Sequence, residues 1–231
     1  MSGPPLLARR GVLAAIAVAA FGVMLVIGLR YSGTHGPGRL DRAIDIRIHN
    51  RLGYHPVLLQ RVVNLANPGS AVAICAVLCV VFFLMARRRL AVLVVIGPAL
   101  SGVLVDVVLK PLFDRRLAGA LSYPSGHTAA ASSIALVVVV AMLGGSRMSW
   151  PAAVRWVVAA CALAAAGLVA AALIAEGYHY TTDTFGGFLV AVTCVLGAAL
   201  SIDALASRPH DESKGESTPQ VDDALLPRVK A

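Results

Sequence analysis

The sequence predicts an all-α protein, a polytopic membrane bundle of about six transmembrane helices. Of its 231 residues, 58% are hydrophobic and only 14% are charged, whereas soluble domains carry roughly 25% charged residues. The hydrophobic residues also gather in charge-free runs at 11–29, 62–86, 90–105, 117–146, 157–175 and 184–202. A helix needs roughly 17–25 apolar residues to cross the hydrocarbon core of a bilayer. The number and length of the runs together exclude the core of a soluble domain.

The first apolar run follows Arg9 and Arg10, as the apolar part of a signal peptide would. It is long for such a segment, and Gly-Leu-Arg-Tyr at 28–31 is not a small-residue cleavage site, so we expect a retained helix. The predicted parts of the chain are a basic N-terminal tail at 1–10, a six-helix membrane domain at 11–203 and a polar C-terminal tail at 204–231. The composition of the C-terminal tail predicts disorder.

The net charge of +8 does not indicate a nucleic-acid partner, because the basic residues lie in short loops beside the apolar runs. Contact with membrane lipids explains them better. The positive-inside rule favours cytoplasmic termini, chiefly through the arginines at 87–89. The cysteines lie inside apolar runs without metal-ligand spacing, and we interpret them as small core residues.

The loop after the first run has an alternating pattern that does not decide its own structure. Residues 40–48 alternate apolar and polar side chains, which fits either a strand or a helix lying on the membrane surface. The histidines of this loop, His35, His49 and His55, are most simply exposed polar residues.

Polar side chains concentrate around two short loops, at 110–124 and 176–183. Because alternate loops of a six-span protein share a side, both loops face the same aqueous boundary. Ionisable groups at membrane depth are costly and usually mark function. The polar groups concerned are Lys110, Asp114, Arg115, Arg116, Ser125, His127, Glu176, His179 and Asp183. Together they predict an anion site.

The residue types of the first loop suit a phosphate group. Lys110, with one or both of Arg115 and Arg116, supplies positive charge and N–H donors for a tetrahedral oxyanion. The residues that follow lead directly into an apolar helix, whose N-terminal N–H groups favour anions. Gly126 permits a close backbone approach there, and Ser125 either caps the helix or donates to phosphate.

The residues of the second loop suit nucleophilic catalysis. His179 and Asp183 are four residues apart, so a helical turn would place both on one face. A carboxylate there fixes the imidazole tautomer and holds the ring ready to attack phosphorus. His127 would then protonate the leaving oxygen. Glu176 beside His179 and Asp183 is only a weak metal-ligand pattern, and we expect neither a metal nor a cofactor.

Each of these groups also has a plainer interpretation when it is taken alone. Lys110 and the two arginines could be interfacial anchors, and Asp106 most simply neutralises Lys110 in a buried ion pair. Ser125 could be only a helix cap, and a lone histidine at a helix end is more often structural than catalytic. The combination of both loops at one boundary favours phosphate chemistry.

Three motifs together resemble the signature of the type 2 phosphatidic acid phosphatase family: Lys110 with Arg115 and Arg116, then Pro-Ser-Gly-His at 124–127, then His179-x-x-x-Asp183. That family also includes bacterial polyprenyl diphosphate phosphatases. The six-helix plan extends the resemblance over about residues 10–203.

The resemblance implies a helical bundle with an active site outside the cytoplasm. In the family's mechanism His179 would be the nucleophile that forms a phosphohistidine, Asp183 would orient it, and His127 would be the general acid. No metal takes part in that mechanism. The residues that would hold the phosphate are Lys110, Arg115 or Arg116, Ser125 and Gly126.

The chain departs from the family pattern in two of the motifs. The first motif usually places Arg-Pro seven residues after its lysine, where this chain has Leu117. The third motif usually carries Ser-Arg before its histidine, where this chain has Ala172 and Leu173. A phosphate-clamping arginine is therefore missing, and losing a donor to a transition-state oxyanion costs roughly 10²–10³ in rate. Arg115 and Arg116 together would have to compensate for it.

The predicted function is hydrolysis of a lipid-linked phosphate or diphosphate through a phosphohistidine, in the plasma membrane, with the site facing outward. The sequence leaves open polyprenyl diphosphates, phosphatidylglycerol phosphate and phosphatidates as substrates. Leu173 keeps open a non-catalytic lipid-phosphate binder or transporter, and a phosphotransferase would use the same site. The predicted partners are the lipid substrate and membrane lipids, and the oligomeric state is left open.

Overall fold

A computed structural model describes residues 5–145 and 147–207. It confirms the all-α class, since helices dominate these residues and one two-stranded hairpin accompanies them. The helices are α1 (Arg10–Tyr31), α2 (Arg39–Leu52), α3 (Pro56–Asn64), α4 (Pro68–Leu84), α5 (Arg88–Val103), α6 (Lys110–Phe113), α7 (Gly126–Leu143), α8 (Ala152–Ala175) and α9 (Thr181–Ala206). The hairpin strands are β1 (Arg116–Leu117) and β2 (Ala120–Leu121). Most of the predicted tail at 204–231 lies outside the described residues, and the division into tails and membrane domain stays a prediction.

The chain is an integral membrane protein with a polytopic bundle, as predicted. By length and hydropathy, α1, α7, α8 and α9 each suffice to cross a membrane. A fifth candidate is the continuous stretch Arg88–Phe113, in which a π-helical segment at Leu104–Leu109 joins α5 to α6. The sixth is the bent pair formed by α3 and α4.

The second charge-free run is not one straight helix, which corrects the expectation drawn from its length. It breaks between Asn64 and Pro68, and α3 and α4 are bent by 53°. Pro68 lacks a backbone N–H and biases the preceding residue away from helical geometry. Asn67 accordingly has an extended ψ of 149°. A polar residue thus sits at the break inside an apolar span.

Residues 40–48 are helical and belong to α2, which settles the alternative that the alternating pattern left open. Asp41 faces inward and is fully buried, whereas the arginines of α2 are exposed. His49 is more than an exposed polar residue, because its Nδ1 lies 2.8 Å from the carbonyl oxygen of Ala175. The helix is therefore docked on the bundle through its polar face.

Helix α9 lies at the centre of the bundle and packs against α1, α5 and α7. It approaches the start of α7 so closely that a Cβ atom at Gly187 would clash with the carbonyl oxygen of Ser125, so only glycine fits there. The N–H of Ser125 also donates to the carbonyl oxygen of Asp183 at 2.9 Å. These contacts hold the start of α7 beside the start of α9.

The two ends of the bundle are built from different parts of the chain. The site end consists of α2, α3, the loop at 114–125 and the loop at 176–180. The tail end consists of residues 5–9, the turn at 85–87 and the last turns of α9. At the tail end Leu6 and Leu7 are buried, and their N–H groups donate to Asp203 at 2.8 and 3.1 Å. Part of the predicted N-terminal tail is thus packed into the bundle.

Candidate active site

The structure brings the two predicted histidines together at the site end. His127 is the second residue of α7, and His179 lies two residues before the start of α9. His179 precedes α9, and Asp183 lies in the first turn of that helix. The two side chains therefore face each other across the start of α9 rather than along one face of a complete helical turn. Both histidines thus lie at the same end of the bundle, as the sequence predicted.

His179 faces Asp183 through Nδ1, which lies 3.7 Å from Oδ2. This distance is too long for a hydrogen bond, and within the described part of the chain the buried Nδ1 has no hydrogen-bond partner. Catalytic hydrogen bonds are often long in unliganded enzymes and tighten when substrate binds. The arrangement leaves Nε2 of His179 as the ring nitrogen available to attack phosphorus.

Arg115 does not lie where a phosphate ligand was expected. Its side chain is fully buried, and its two Nη atoms lie 2.6 Å from carboxylate oxygens of Asp183 and Asp41. The guanidinium lies over the rings of Tyr31 and Tyr180, at 4.4 and 4.6 Å from the centroids. Such paired, stacked burial suits a structural arginine. Arg115 therefore holds Asp183 in place. Its second partner, Asp41, was not predicted from the sequence.

Two carboxylates of α2 cap the start of α9. Asp41 accepts from the N–H and hydroxyl of Thr182, at 2.9 and 2.8 Å. Asp45 accepts from the N–H and hydroxyl of Thr181, at 3.1 and 2.6 Å. Carboxylates at a helix N-terminus satisfy free donors and interact favourably with the helix dipole. The α9 terminus is thus already occupied by anions of the chain itself.

The same two carboxylates have opposite pKa shifts. Burial opposes ionisation of Asp41, but hydrogen bonds, from the N–H of Thr182 above all, and the Arg115 guanidinium outweigh it and hold the pKa of Asp41 below its ordinary 3.8. Burial raises the pKa of Asp45 above 3.8, because the hydrogen bonds from Thr181 offset only part of the effect. The i,i+4 spacing of these residues in an amphipathic segment was the sequence signal for them.

Lys110 forms an ion pair with Asp106 at 2.7 Å, as their four-residue spacing predicted, but the pair is not buried as expected, because the Asp106 side chain is exposed. Both residues border a cavity of about 650 Å³ that lies between α4, α5 and α7. Gly126 and His127 also line it, so its polar groups gather at one end. The remaining lining is almost wholly apolar: Ala66, Pro68, Ala71, Val72, Cys75, Ala76, Val95, Pro98, Ala99, Gly102 and Ala130. The cavity fits a molecule with an apolar chain and an anionic head.

A second cavity, of about 360 Å³, reaches His179 from the side of α2. Arg42, Asp45 and His49 of α2 line it, together with Tyr180. Apolar side chains, including Ile46, Leu117 and Ile174, also line this cavity. His127 thus lines the first cavity and His179 lines the second.

His127 has a partner that the sequence analysis missed. Its Nε2 lies 3.0 Å from Oδ1 of Asn67, the residue at the break between α3 and α4. An asparagine followed by proline inside an apolar run was the available signal, and the length of the run obscured it. The broken span therefore contributes directly to the site.

The position of the missing third-motif arginine has become part of the core. Leu173 is buried and packs in a cluster with Leu59 and Val63 of α3. An arginine there would have to displace these apolar contacts, so the leucine belongs to the docking of α3 on α8. The neighbouring backbone serves the loop, since the carbonyl oxygen of Leu173 accepts from the N–H groups of Tyr178 and His179.

The remaining predicted phosphate ligands lie in different settings. Ser125 is buried and caps α7, since its Oγ accepts from the N–H of Thr128 at 3.3 Å. Arg116 is partly exposed and pairs with Asp114 at 2.8 Å. Among the described residues no group of three or more His, Cys, Asp or Glu side chains is arranged to hold a metal ion.

Comparison with known proteins shows what this architecture resembles. No protein-family model matches the sequence, and no curated protein matches it. Among solved structures, the chain is similar to the first transmembrane PAP2 type phosphatidylglycerolphosphate phosphatase from Bacillus subtilis, with a TM-score of 0.64 and 17% sequence identity. The similarity covers 83% of this chain and 98% of that one. The family resemblance of the motifs is thus confirmed at the level of architecture: the chain has the fold of a PAP2-type membrane phosphatase.

Proposed function

We propose that the protein hydrolyses a lipid-linked phosphate or diphosphate at the site end. One observation carries the proposal: His127, beside Asn67, lines the polar end of an apolar cavity, and His179, beside Asp183, lies at the same end of the bundle. Lys110 at the same end supplies positive charge for an anionic head group. The PAP2-type fold agrees with this chemistry.

The proposed reaction proceeds in two displacements. Nε2 of His179 attacks phosphorus, an N–P bond forms, and the bond from phosphorus to the lipid oxygen breaks. Protonated His127 gives its proton to that leaving oxygen. Water then attacks the phosphohistidine, His127 takes a proton from the water, the N–P bond breaks, and inorganic phosphate leaves. The nucleophile and the acid are restored.

The proposed phosphate contacts come from the start of α7 and from Lys110. The backbone at Gly126 borders the cavity at a helix N-terminus, which favours an anion. Ser125 shapes that terminus as its cap. Arg115 does not contact the phosphate in this proposal and acts by holding Asp183. Arg116 is the predicted phosphate ligand with the least support, because its side chain is paired with Asp114.

The substrate class follows from the shape and lining of the larger cavity. An apolar chain would lie along α4, α5 and α7, with its phosphate at Lys110 and His127. Phosphatidylglycerol phosphate, phosphatidates and polyprenyl diphosphates all have this arrangement. We further propose that the site end faces outward from the plasma membrane, supported by Arg87, Arg88 and Arg89 near the tail end.

A second candidate function is a lipid-phosphate binder or transporter without efficient chemistry. Leu173 favours it, because the family's arginine at that position is replaced by apolar packing. Loss of such a donor lowers the rate by roughly 10²–10³ but leaves an anion site in place.

The test is phosphate release by the purified protein in detergent micelles. A panel of phosphatidylglycerol phosphate, phosphatidate and undecaprenyl diphosphate is offered to the wild type and to His179→Ala, His127→Ala and His35→Ala. We expect His179→Ala to reduce release to background and His127→Ala to reduce it by roughly 10²–10⁴. His35→Ala, a control on an exposed loop residue of the site end, should be as active as the wild type.

The outcomes separate the candidates. Release that persists in His179→Ala overturns the nucleophile assignment. Acid-labile labelled phosphate on the wild-type chain, absent from His179→Ala, supports the phosphohistidine. A wild type that binds the lipids but releases no phosphate favours the binder.

A further inference from the structure

The break between α3 and α4 places one amide beside His127. Asn67 Oδ1 lies 3.0 Å from His127 Nε2, within hydrogen-bond distance. The flanking residues Ala66 and Pro68 line the same cavity as His127. The interruption of the apolar span therefore shapes the cavity and supplies the partner of a catalytic ring at the same point.

A chain of hydrogen bonds accompanies this contact, and in it Oδ1 of Asn67 faces the ring. Its Nδ2 donates to Oδ1 of Asn64 at 3.1 Å, so its Oδ1 is the acceptor left for His127. Gln60 continues the chain by donating its Nε2 to the same Asn64 oxygen at 3.1 Å. Gln60 Oε1 in turn accepts from the hydroxyl of Tyr178 at 3.0 Å. Every donor and acceptor in this chain is used consistently.

The orientation of the Asn67 amide predicts the tautomer of His127. Because Asn67 presents a carbonyl oxygen, Nε2 of His127 must carry a hydrogen in order to donate to it. The proton given to the leaving oxygen is then held at Nδ1. A partner that fixes one ring nitrogen in this way sets both the orientation and the tautomer of an imidazole.

We propose that Asn67 is a positioning residue for His127, and that it sets the unequal roles of the two histidines. This inference rests on the proposed phosphatase activity. His179 faces a carboxylate, whereas His127 faces a neutral amide that orients the ring without adding negative charge. The amide thus leaves the general acid free to give up its proton.

The charge at position 67 strongly affects the electrostatic field at the His127 ring. The charged and titratable groups near its ring are Lys110, Asp106 and His179. Lys110 and Asp106 neutralise each other at 2.7 Å. A charge introduced at position 67 would therefore be the largest change in the field at the ring, and it would act through a direct contact.

Two substitutions of Asn67 test its positioning role. Asn67→Ala removes the acceptor, and we expect kcat to fall about 10- to 100-fold with KM changed less than about threefold, a part of what a positioned general acid supplies. Asn67→Asp keeps the acceptor and adds a negative charge that stabilises the protonated ring. We expect it to retain more activity than Asn67→Ala and to move the alkaline limb of the pH–rate profile to higher pH.

The control is His35→Ala, an exposed loop residue of the same end that lines neither of the two cavities. It should change neither kcat nor the pH profile. Unchanged kcat in Asn67→Ala, or an unmoved pH profile in Asn67→Asp, overturns the proposal.

A second measurement does not depend on turnover. NMR spectra of protein labelled with ¹⁵N-histidine report which ring nitrogen carries the hydrogen. We expect His127 to carry it at Nε2 in the wild type and to lose that preference in Asn67→Ala. A wild type that releases no phosphate but shows this change defeats the proposed function and supports the positioning role. An unchanged tautomer in Asn67→Ala contradicts the positioning role even in an active enzyme.

Discussion

The two ends of α9 solve the same physical problem in different ways. At the tail end, the fully buried Asp203 accepts N–H groups of Leu6 and Leu7 and lies 3.4 Å from Arg89. At the site end, Asp183 is also fully buried and lies 2.6 Å from Arg115. Both carboxylates join segments that are distant in sequence.

The difference lies in what remains unpaired beside each carboxylate. At the site end a buried ring nitrogen of His179 stays unpartnered within the described residues, and a cavity opens next to it. Asp203 borders neither of the two cavities described above, and both of its carboxylate oxygens accept hydrogen bonds. We therefore interpret the tail end as a purely structural junction and the site end as a frame that positions reactive side chains.

The largest effect expected from breaking this comparison is that of Arg115→Met. It leaves Asp41 and Asp183 buried without their shared cation, which costs about 3–5 kcal/mol of unfolding free energy. Phosphate release should also be lost, because Asp183 no longer stays in place beside His179. Thermal unfolding in detergent and kcat per folded molecule check both effects.

The matched change at the tail end is Asp203→Asn. This substitution should also lower the unfolding temperature. The kcat per folded molecule should nevertheless stay within about threefold of the wild type, because Asp203 lies far from the reacting atoms. Arg115→Lys separates charge from geometry, because a lysine cannot bridge two carboxylates as a guanidinium does. Full activity in Arg115→Met would show that Asp183 needs no such frame.

The sequence predicted the site's residue types better than their partners. The pairing of Lys110 with Asp106 followed from helical spacing. The partnership of Arg115 with Asp41 did not, because it joins residues 74 positions apart and depends on α2 docking. Local periodicity carries no information about such long-range contacts.

The break between α3 and α4 illustrates a second reason why the sequence analysis missed a contact of the site. The charge-free run at 62–86 has the length of a membrane helix, and length outweighed the local signal of Asn67 before Pro68. A helix interrupted at a cavity satisfies its free backbone groups through neighbours, so such a break is tolerated at membrane depth. The prediction of about six spans agrees with five candidate spans and the bent pair as a sixth, while the contact of Asn67 with His127 was missed.

A subtler effect is expected from the two carboxylates of α2, whose pKa values shift in opposite directions. The lowered pKa of Asp41 means that its contribution to stability is present above pH 3.8 and disappears as pH falls through its folded-state pKa. Asp41→Asn should therefore be destabilised uniformly from about pH 5 to 8, and its deficit should shrink in more acidic solution.

Asp45→Asn should behave in the opposite way. Because burial raises the pKa of Asp45 above 3.8, ionisation in the folded state costs stability as pH rises through that pKa. The asparagine avoids this cost and still accepts from Thr181, so its unfolding temperature relative to wild type should rise between about pH 4 and 7. Parallel difference curves for the two variants would contradict the distinct environments of the two carboxylates.

The smallest effect expected is that of Arg116→Ala. Arg116 and Asp114 are both partly exposed, and such surface ion pairs contribute about 0–1 kcal/mol. We expect an unfolding temperature close to the wild-type value and a KM within about threefold of it, as fits a surface pair that makes no substrate contact. Lys110→Ala, the comparison in the same motif, should raise KM and lower kcat, because Lys110 borders the cavity beside His127. A tenfold rise in KM for Arg116→Ala would instead place Arg116 on the phosphate, and its pairing with Asp114 would then describe only the unliganded protein.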